Sequence, residues 1–402
     1  MSAGITEQAF GATSNALLVG CWSSMVRNAS LQDDRSRRGV GREHIVRTLP
    51  IRVKPLPEES FDSWLEALAH RTDATWGDIL GAVGIVGMRG STASYRATRA
   101  AVSLTPEQAD TISYCTGVDP RRLREMTLQP WIKDPSWQRR SVASMRISGS
   151  RFCPRCLDER GGRWRVWWRL RWAFACPTHG CLLAHACSVC GGPQRTAPPR
   201  VNDVPSLGSC TRTIVRFGEP RKCNEQLSNM RAVHLDTDPA VVVQQEVLRV
   251  LRAGHTSGGI YALSPVASTV FARDLQTLGS WMLNCAQATD VTCRISHVLW
   301  EQCRLQTTKE IAQQLITSGG ARVTYSTPAT DAAIACMAMP ILQATDSETA
   351  AKSLQWLTSS MRRRGVSPSR QRACWRQGCS PSLDALRRVV LSPRSFRRSP
   401  QM

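Results

Sequence analysis

Two groups of cysteine and histidine in the middle of the chain have the spacing of metal ligands. The first group is Cys153-x2-Cys156 followed by Cys176-x2-His179. Each pair supplies two donors from one tight turn, and together they form a zinc-binding set of three thiolates and one imidazole. All four positions are filled by protein, whereas a catalytic zinc ion keeps one position open. The sequence therefore predicts a structural zinc ion.

A second zinc site is predicted from Cys187-x2-Cys190, a pair followed by two glycines that permit the turn after the second thiolate. This pair needs two more ligands to complete a tetrahedral site. The best candidates are Cys210 and Cys223, with His185 or Cys181 as a substitute for one of them. The remaining cysteines are predicted to be buried free thiols: Cys115, Cys285, Cys293, Cys303, Cys336, Cys374 and Cys379.

The stretch RWRVWWRLRW, residues 163–172, lies between the two halves of the first site and holds four Trp and four Arg. Its even positions are apolar and four of its five odd positions are Arg, a period of two that is typical of a strand. On a helix the tryptophans would also share a face, so the apolar set is one-sided in either conformation. The tryptophans are predicted to form a core between the zinc sites, because small zinc modules lack other core material. The arginines are then predicted on the outer face, as DNA contacts or as a solvated surface: Arg163, Arg165, Arg169 and Arg171.

The charge of the chain favours a polyanion as partner, and double-stranded DNA is the leading class. The net charge is +21, and of the 52 basic residues 47 are Arg. Residues 121–172 carry a surplus of ten positive charges, and residues 356–402 carry 11 Arg against one acid. Residues 225–360 are close to neutral, so two basic segments flank a neutral one. Arg362, Arg363 and Arg364 are a lesser DNA-contact candidate, with a solvated helix end as the alternative.

The composition favours a cytoplasmic protein over an exported or membrane-bound one. No apolar run approaches the length of a membrane helix, and no Lys or Arg precedes the short apolar run at residues 16–22. The chain has 16 Cys but is too long to need a disulfide scaffold, so clustered Cys indicates metal binding.

We predict a mainly α fold in which helical units of the helix-turn-helix type surround a small zinc-finger module with short β-hairpins. The predicted segments are a disordered leader (1–45), a helical domain (46–150), a double zinc-finger module (151–232), a second helical domain (233–392) and a disordered basic tail (393–402).

Several helix boundaries are predicted from caps and glycine stops. Ser60 is predicted to cap the first helix, and Thr105 and Gly117 to begin and end the helix in LTPEQADTISYCTG. Asp119-Pro120 then begins the next helix. Short helices joined by tight Gly turns are typical of a helix-turn-helix bundle and almost as typical of any small helical core. Further helices are predicted at Thr75–Gly81, Ala240–Ala253, Phe271–Ala288, Thr308–Thr317, Asp331–Ala344, Ser347–Arg363 and from Ser380 onward.

Three segments together resemble the TniQ family of transposition target-selection proteins, over about residues 47–192. They are LPIRVKPLPEESFDSWLEALA, LTPEQADTISYCTGVDPRRLREMTL and FCPRCLDERGGRWRVWWRLRWAFACPTHGCLLAHACSVCGG. The resemblance implies zinc fingers flanked by helix-turn-helix units, with the first site at Cys153, Cys156, Cys176 and His179 and half of the second at Cys187 and Cys190.

The resemblance also implies a non-enzymatic adaptor that recognises target DNA and recruits an AAA+ ATPase regulator, and through it the transposase. The alternative is a protein-interaction scaffold, in a transposition or CRISPR-associated complex, with little DNA affinity of its own. A metal-dependent nuclease is disfavoured because the sequence has no recognisable carboxylate triad, nucleotide-binding loop or open metal site. The sequence leaves open whether the chain acts as a homodimer.

Overall fold

The computed structural model describes residues 48–85, 92–132, 149–216, 219–235, 237–304, 327–366 and 379–391. All of them belong to one unit, residues 46–402. Four predictions lie outside the described residues: the disordered leader, the helix at Thr308–Thr317, the burial of Cys374 and the disordered tail.

Five helices form the N-terminal part of the described chain: α1 (Phe61–Thr72), α2 (Trp76–Ala82), α3 (Thr92–Val102), α4 (Pro106–Thr116) and α5 (Pro120–Glu125). Thr105 begins α4 through a capping box with Gln108, and Gly117 ends it in the left-handed region at φ 71°. Asp119 caps α5 by accepting hydrogen bonds from two backbone N–H groups. These boundaries agree with the sequence prediction.

Ser60 occupies the N-cap position of α1, but its side chain makes no capping hydrogen bond. Its backbone N–H instead donates to the carbonyl of Trp164, at 2.9 Å. The predicted cap is therefore replaced by pairing with a segment about a hundred residues away.

One hydrophobic core holds these helices together. Phe61 and Trp64 of α1 are almost completely buried in it, and so are Ile112 of α4 and Leu123 of α5. The backbone N–H of Phe61 also donates to the carbonyl of Met126, at the end of α5. Helix α1 is thus fixed directly to the α4–α5 pair.

The cysteine-rich segment contains little regular structure. Its elements are α6 (Pro154–Glu159), β1 (Ala175–Cys176), β2 (Cys181–Leu182), β3 (Thr213–Arg216), β4 (Glu219–Lys222) and β5 (Val233–His234). Strands β1, β2 and β5 form an antiparallel sheet in that order, and β3 and β4 form a hairpin. The predicted mainly α fold with short antiparallel strand pairs is confirmed.

Residues 163–172 form neither a continuous strand nor a continuous α-helix. Residues Val166–Arg169 form a turn of 3₁₀ helix, flanked by extended residues. The predicted tryptophan core is confirmed, because Trp168 and Trp172 are fully buried and Trp164 is 4% exposed. Trp167, at an odd position, is buried too, because the 3₁₀ turn breaks the alternation of apolar and charged residues.

The C-terminal part is helical: α7 (Pro239–Ala253), α8 (Ser268–Cys285), α9 (Ala288–Thr292), α10 (Pro328–Leu342), α11 (Ser347–Ser353), α12 (Gln355–Arg363) and α13 (Pro381–Val390). Strands β6 (His255–Thr256) and β7 (Val266–Ala267) form a short antiparallel pair between α7 and α8. The predicted single helix at Ser347–Arg363 is two helices, because the buried Leu354 adopts ψ −1° between them. None of the helices in the described ranges is long and apolar enough to cross a membrane.

The cysteine-rich segment and the C-terminal helices share one continuous hydrophobic core. Two buried polar side chains join them as well. Gln244 of α7 accepts hydrogen bonds from the backbone N–H groups of Phe174 and Ala175 and donates to the carbonyl of Trp172. Arg151 forms a fully buried ion pair with Asp331 of α10, at 2.5 Å.

Candidate metal centres

The first predicted ligand group comes together in the structure. Cys153 is the N-cap residue of α6, Cys156 lies in its first turn, Cys176 lies in β1, and His179 lies in the turn between β1 and β2. The four ligand atoms all lie within 4.8 Å of one another. The Nδ1 atom of His179 is 3.4, 3.3 and 3.5 Å from the three sulfur atoms in chain order, and two sulfurs, those of Cys156 and Cys176, are 3.6 Å apart.

These distances fit a tetrahedral zinc ion. Zn–S and Zn–N bonds place two sulfur ligands about 3.8 Å apart, and a sulfur and a nitrogen ligand about 3.6 Å apart. The three thiols are completely buried. The group is therefore arranged to hold a cation that takes thiolate ligands.

The imidazole of His179 is oriented by a carboxylate. Its Nδ1 atom points into the donor group, and its Nε2 atom lies 2.8 Å from Oε1 of Glu159, at the end of α6. A carboxylate that accepts the second ring N–H fixes the tautomer and the orientation of a metal-binding histidine. Glu159 is thus a positioning residue for the first centre, a role that its place in the sequence did not reveal.

We expect Glu159→Gln to weaken the first centre about tenfold, the lower end of the range for losing such an outer partner. The measurement is a competition between the loaded protein and a chromogenic zinc chelator. Asp158→Asn is the matched control, because Asp158 is an exposed neighbouring carboxylate on the same helix. Equal affinities for the two variants would show that Glu159 does not position the imidazole.

The second predicted ligand group also comes together. The sulfur atoms of Cys187 and Cys223 are 3.9 Å apart, those of Cys190 and Cys210 are 3.6 Å apart, and all four lie within 4.8 Å of one another. Gly191 adopts φ 66° directly after the knuckle, as the sequence predicts. This group can also hold one metal ion, as a set of four thiolates.

The β3–β4 hairpin explains why Cys210 and Cys223 meet although they are far apart in sequence. The backbone N–H of Cys223 donates to the carbonyl of Arg212, and that of Cys210 donates to the carbonyl of Glu225. The two cysteines thus lie at the open end of a paired hairpin. Gln194 donates to the sulfur of Cys210 at 3.4 Å, as an outer contact of this centre.

The two substitutes considered for the second centre lie elsewhere. Cys181 is in β2, where its sulfur is 3.7 Å from that of Cys153, so it lies beside the first centre. His185 is half-buried and does not belong to either four-donor group.

The other described cysteines differ in burial. Cys115 and Cys285 are buried and Cys303, Cys336 and Cys379 are half-buried, whereas Cys293 is exposed. The predicted burial of Cys293 is wrong, because this residue ends the short surface helix α9.

The predicted outward direction is wrong for three of the four arginines, which bind carboxylates of α1 and of the segment before it. Arg163 forms a bidentate ion pair with Glu59: its Nε donates to Oε1 at 2.7 Å and its Nη2 to Oε2 at 2.5 Å. Arg165 pairs with Glu58 at 2.7 Å, and Arg169 pairs with Asp62. These arginine side chains are only 13–18% exposed. The reason is that residues 164–166 pair with residues 58–60, which turns the arginines toward α1.

Arg195 completes this interface, and sequence reasoning missed it. Its guanidinium forms two hydrogen bonds with Glu66, at 2.7 and 2.8 Å, and one with Asp62, at 2.6 Å. Although burial raises the pKa of Asp62, the positive charges of Arg169 and Arg195 lower it well below its usual range. We call Arg163, Arg165, Arg169 and Arg195 the arginine clamp, because they join the cysteine-rich segment to α1.

Arg171, the fourth predicted DNA contact, is half-buried and lies against the ring of Trp172, with 5.9 Å between the guanidinium carbon and the ring centroid. The lesser DNA-contact candidates were Arg362, Arg363 and Arg364. Of these, Arg363 and Arg364 are exposed at the end of α12, and Arg364 donates to the carbonyl of Cys285.

The described part of this mainly helical chain thus holds two groups of four protein donors, each of which could hold one metal ion with all four positions filled by protein. Residues 50–183, which include the whole first group, match the model of the TniQ family. This match supports membership of the TniQ family, and the family implies a transposition-associated protein. No curated protein matches the chain.

Proposed function

We propose that the chain is a zinc-stabilised, DNA-binding adaptor that selects the target site in transposition and recruits an AAA+ ATPase regulator, and through it the transposase. The observation that carries the proposal is the first donor group, which has the spacing of zinc ligands and lies inside the segment that matches the TniQ family. The DNA-binding part rests on the net charge of +21 and on the surface around α4 and α5.

Two zinc ions would be structural in this proposal. The first is held by Cys153, Cys156, Cys176 and His179, and the second by Cys187, Cys190, Cys210 and Cys223. A bound zinc ion supplies folding free energy to a segment with little regular structure of its own.

The arginine clamp connects the cysteine-rich segment, once metal has ordered it, to the helical N-terminal part. Residues 163–169 lie between the two halves of the first donor group, and the clamp fixes them to α1. Helix α1 in turn packs against α4 and α5 in one core. Metal binding thus fixes the orientation of the α4–α5 pair relative to the cysteine-rich segment.

The α4–α5 pair is the DNA-binding surface that we propose. In a helix-turn-helix unit the N-terminal residues of the second helix approach base edges. Arg121 lies there, exposed, in the first turn of α5. Arg52 is exposed and lies over the turn, where a Cβ placed on Gly117 would be 2.7 Å from its Nη1 atom. Neither arginine forms an ion pair within the described ranges, so both are available to phosphate groups.

We expect Arg52→Ala combined with Arg121→Ala to weaken binding to a labelled random-sequence duplex about tenfold. The double variant should also lower the slope of log affinity against log salt by about two, since each phosphate contact contributes about 0.9. The measurement is fluorescence anisotropy of the zinc-loaded full chain over a range of salt concentrations.

Arg249→Ala combined with Arg388→Ala is the matched control, because it removes two exposed arginines that pair with acids on their own helices. This control should leave the slope almost unchanged. If both double variants lower the slope equally, DNA is attracted by the positive charge of the whole surface, and the α4–α5 surface is not the DNA-binding site.

A protein-interaction scaffold is the second candidate function. The observation that favours it is the arginine clamp, which takes three of the four predicted DNA contacts out of the available surface. DNA affinity that is weak and independent of salt for the zinc-loaded chain would support the scaffold over the DNA-binding adaptor.

A further inference from the structure

The first metal centre has a fifth donor beside it, the thiol of Cys181. This residue is completely buried, and its sulfur lies 3.7 Å from the sulfur of Cys153. That distance is close to the spacing of about 3.8 Å that a tetrahedral zinc ion imposes on two thiolate ligands.

The strand register places Cys181 there. Cys176 and Cys181 are direct partners across the antiparallel pair β1–β2. Side chains of directly opposed residues lie on the same face of a sheet, with their Cβ atoms about 5 Å apart. A ligand in β1 therefore brings the Cys181 thiol next to the same centre, where its sulfur contacts that of Cys153.

The ligand that Cys181 can replace is His179. The three cysteine ligands are fully buried, whereas His179 lies in a turn and its outer nitrogen faces Glu159, a carboxylate that is 56% exposed. With 5% of its side chain exposed, His179 is thus the least buried of the four ligands. Zinc accepts three thiolates and one imidazole or four thiolates in structural sites.

We infer that Cys181 is a reserve ligand of the first centre, which retains its metal ion through Cys153, Cys156, Cys176 and Cys181 when His179 is withdrawn. The inference rests on the proposed binding of metal by this group. Its consequence is that the fold of the cysteine-rich segment does not depend on the one ligand that lies near the surface.

Cobalt(II) is the probe, because its visible and near-ultraviolet absorption reports the number of thiolate ligands. Four full-length proteins are loaded and compared for cobalt per chain: wild type, Cys181→Ser, His179→Ala, and the double variant. We expect two ions per chain for the first three proteins and one ion, in the second centre, for the double variant. The thiolate-to-cobalt absorption of His179→Ala should exceed that of wild type, because eight thiolates replace seven.

The outcomes separate this inference from the proposed function. Two ions in wild type but only one in His179→Ala would show that Cys181 does not replace the histidine. An insoluble His179→Ala beside a soluble Cys181→Ser would count against the reserve ligand in the same way. A wild-type protein that binds no cobalt at either group would overturn the metal sites themselves, and the reserve ligand with them.

Discussion

Cys176→Ser is expected to abolish the folded state of the cysteine-rich segment. Structural zinc sites contribute about 10–16 kcal/mol of apparent binding free energy, which is as large as the whole stability of a typical domain, about 5–15 kcal/mol. Cys176 is completely buried in the core that joins this segment to the C-terminal helices. Loss of the metal therefore removes order from both parts at once.

The measurement combines thermal unfolding by circular dichroism with the zinc content of the purified chain. Cys293→Ser is the matched control, because Cys293 is exposed and lies on a surface helix, so its loss should change stability by less than about 0.5 kcal/mol. A Cys176→Ser protein with the zinc content and the unfolding transition of wild type would refute a structural metal at the first centre.

The second centre should be less critical than the first. Two of its cysteines, Cys190 and Cys223, are half-buried, and one half of its donor set lies at the end of the β3–β4 hairpin. The hairpin strand β4 is exposed at every residue. Loss of the second metal ion should therefore disorder the hairpin locally before it affects the shared core.

Both donor groups could be predicted because the chemistry depends on short sequence separations. A CxxC or CxxH pair fixes two donors within one turn, whatever the rest of the fold does. Cys210 and Cys223 were harder to assign, since only strand pairing brings them together. Cys181 was considered only as a substitute ligand of the second centre, because its place beside the first depends on the β1–β2 register, which two-residue strands do not show in a sequence pattern.

The arginines were placed wrongly because their partners are distant in the chain. Arg163 and Glu59 are separated by 104 residues, and Arg169 and Asp62 by 107. Local alternation separates apolar from polar residues, but it does not tell a solvated arginine from one that faces a carboxylate in another helix. Arg195, for which no local pattern exists, was missed for the same reason.

The helices were predicted well where a cap or a glycine stop marks them, as for α4 with Thr105 and Gly117. They were predicted less well where a buried side chain decides the boundary. Leu354, which is completely buried in the C-terminal core, separates α11 from α12 with ψ −1°, and no cap or glycine in the sequence marks this break.

Arg163→Ala is expected to destabilise the full chain by about 3–5 kcal/mol, because it leaves a buried charge without its partner. Glu59 is completely buried, and burial raises the pKa of its carboxyl although Arg163 opposes the shift. Arg165→Ala is the comparison within the same stretch. Its partner Glu58 is 30% exposed, so that variant should cost at most about 1 kcal/mol.

Glu59→Gln in the Arg163→Ala background tests the physical cause. The amide removes the unpaired charge and keeps one oxygen that can accept from the Leu56 N–H, while its NH2 group can donate to the Ser63 hydroxyl, which contacts the other carboxylate oxygen of Glu59. The double variant should therefore be more stable than Arg163→Ala alone, by about 1–3 kcal/mol. Urea unfolding of the zinc-loaded proteins measures all three free energies.

The same variants decide between the two roles that the arginine-rich stretch can have. If the arginine clamp is structural, Arg163→Ala lowers stability, and any loss of DNA affinity disappears when binding is corrected for the folded fraction. If Arg163 contacts DNA instead, stability stays at the wild-type value while the salt slope of binding falls by about one. That second result would restore the outward arginine face predicted from the alternation of residues 163–172, because a guanidinium held by Glu59 cannot at the same time neutralise a phosphate.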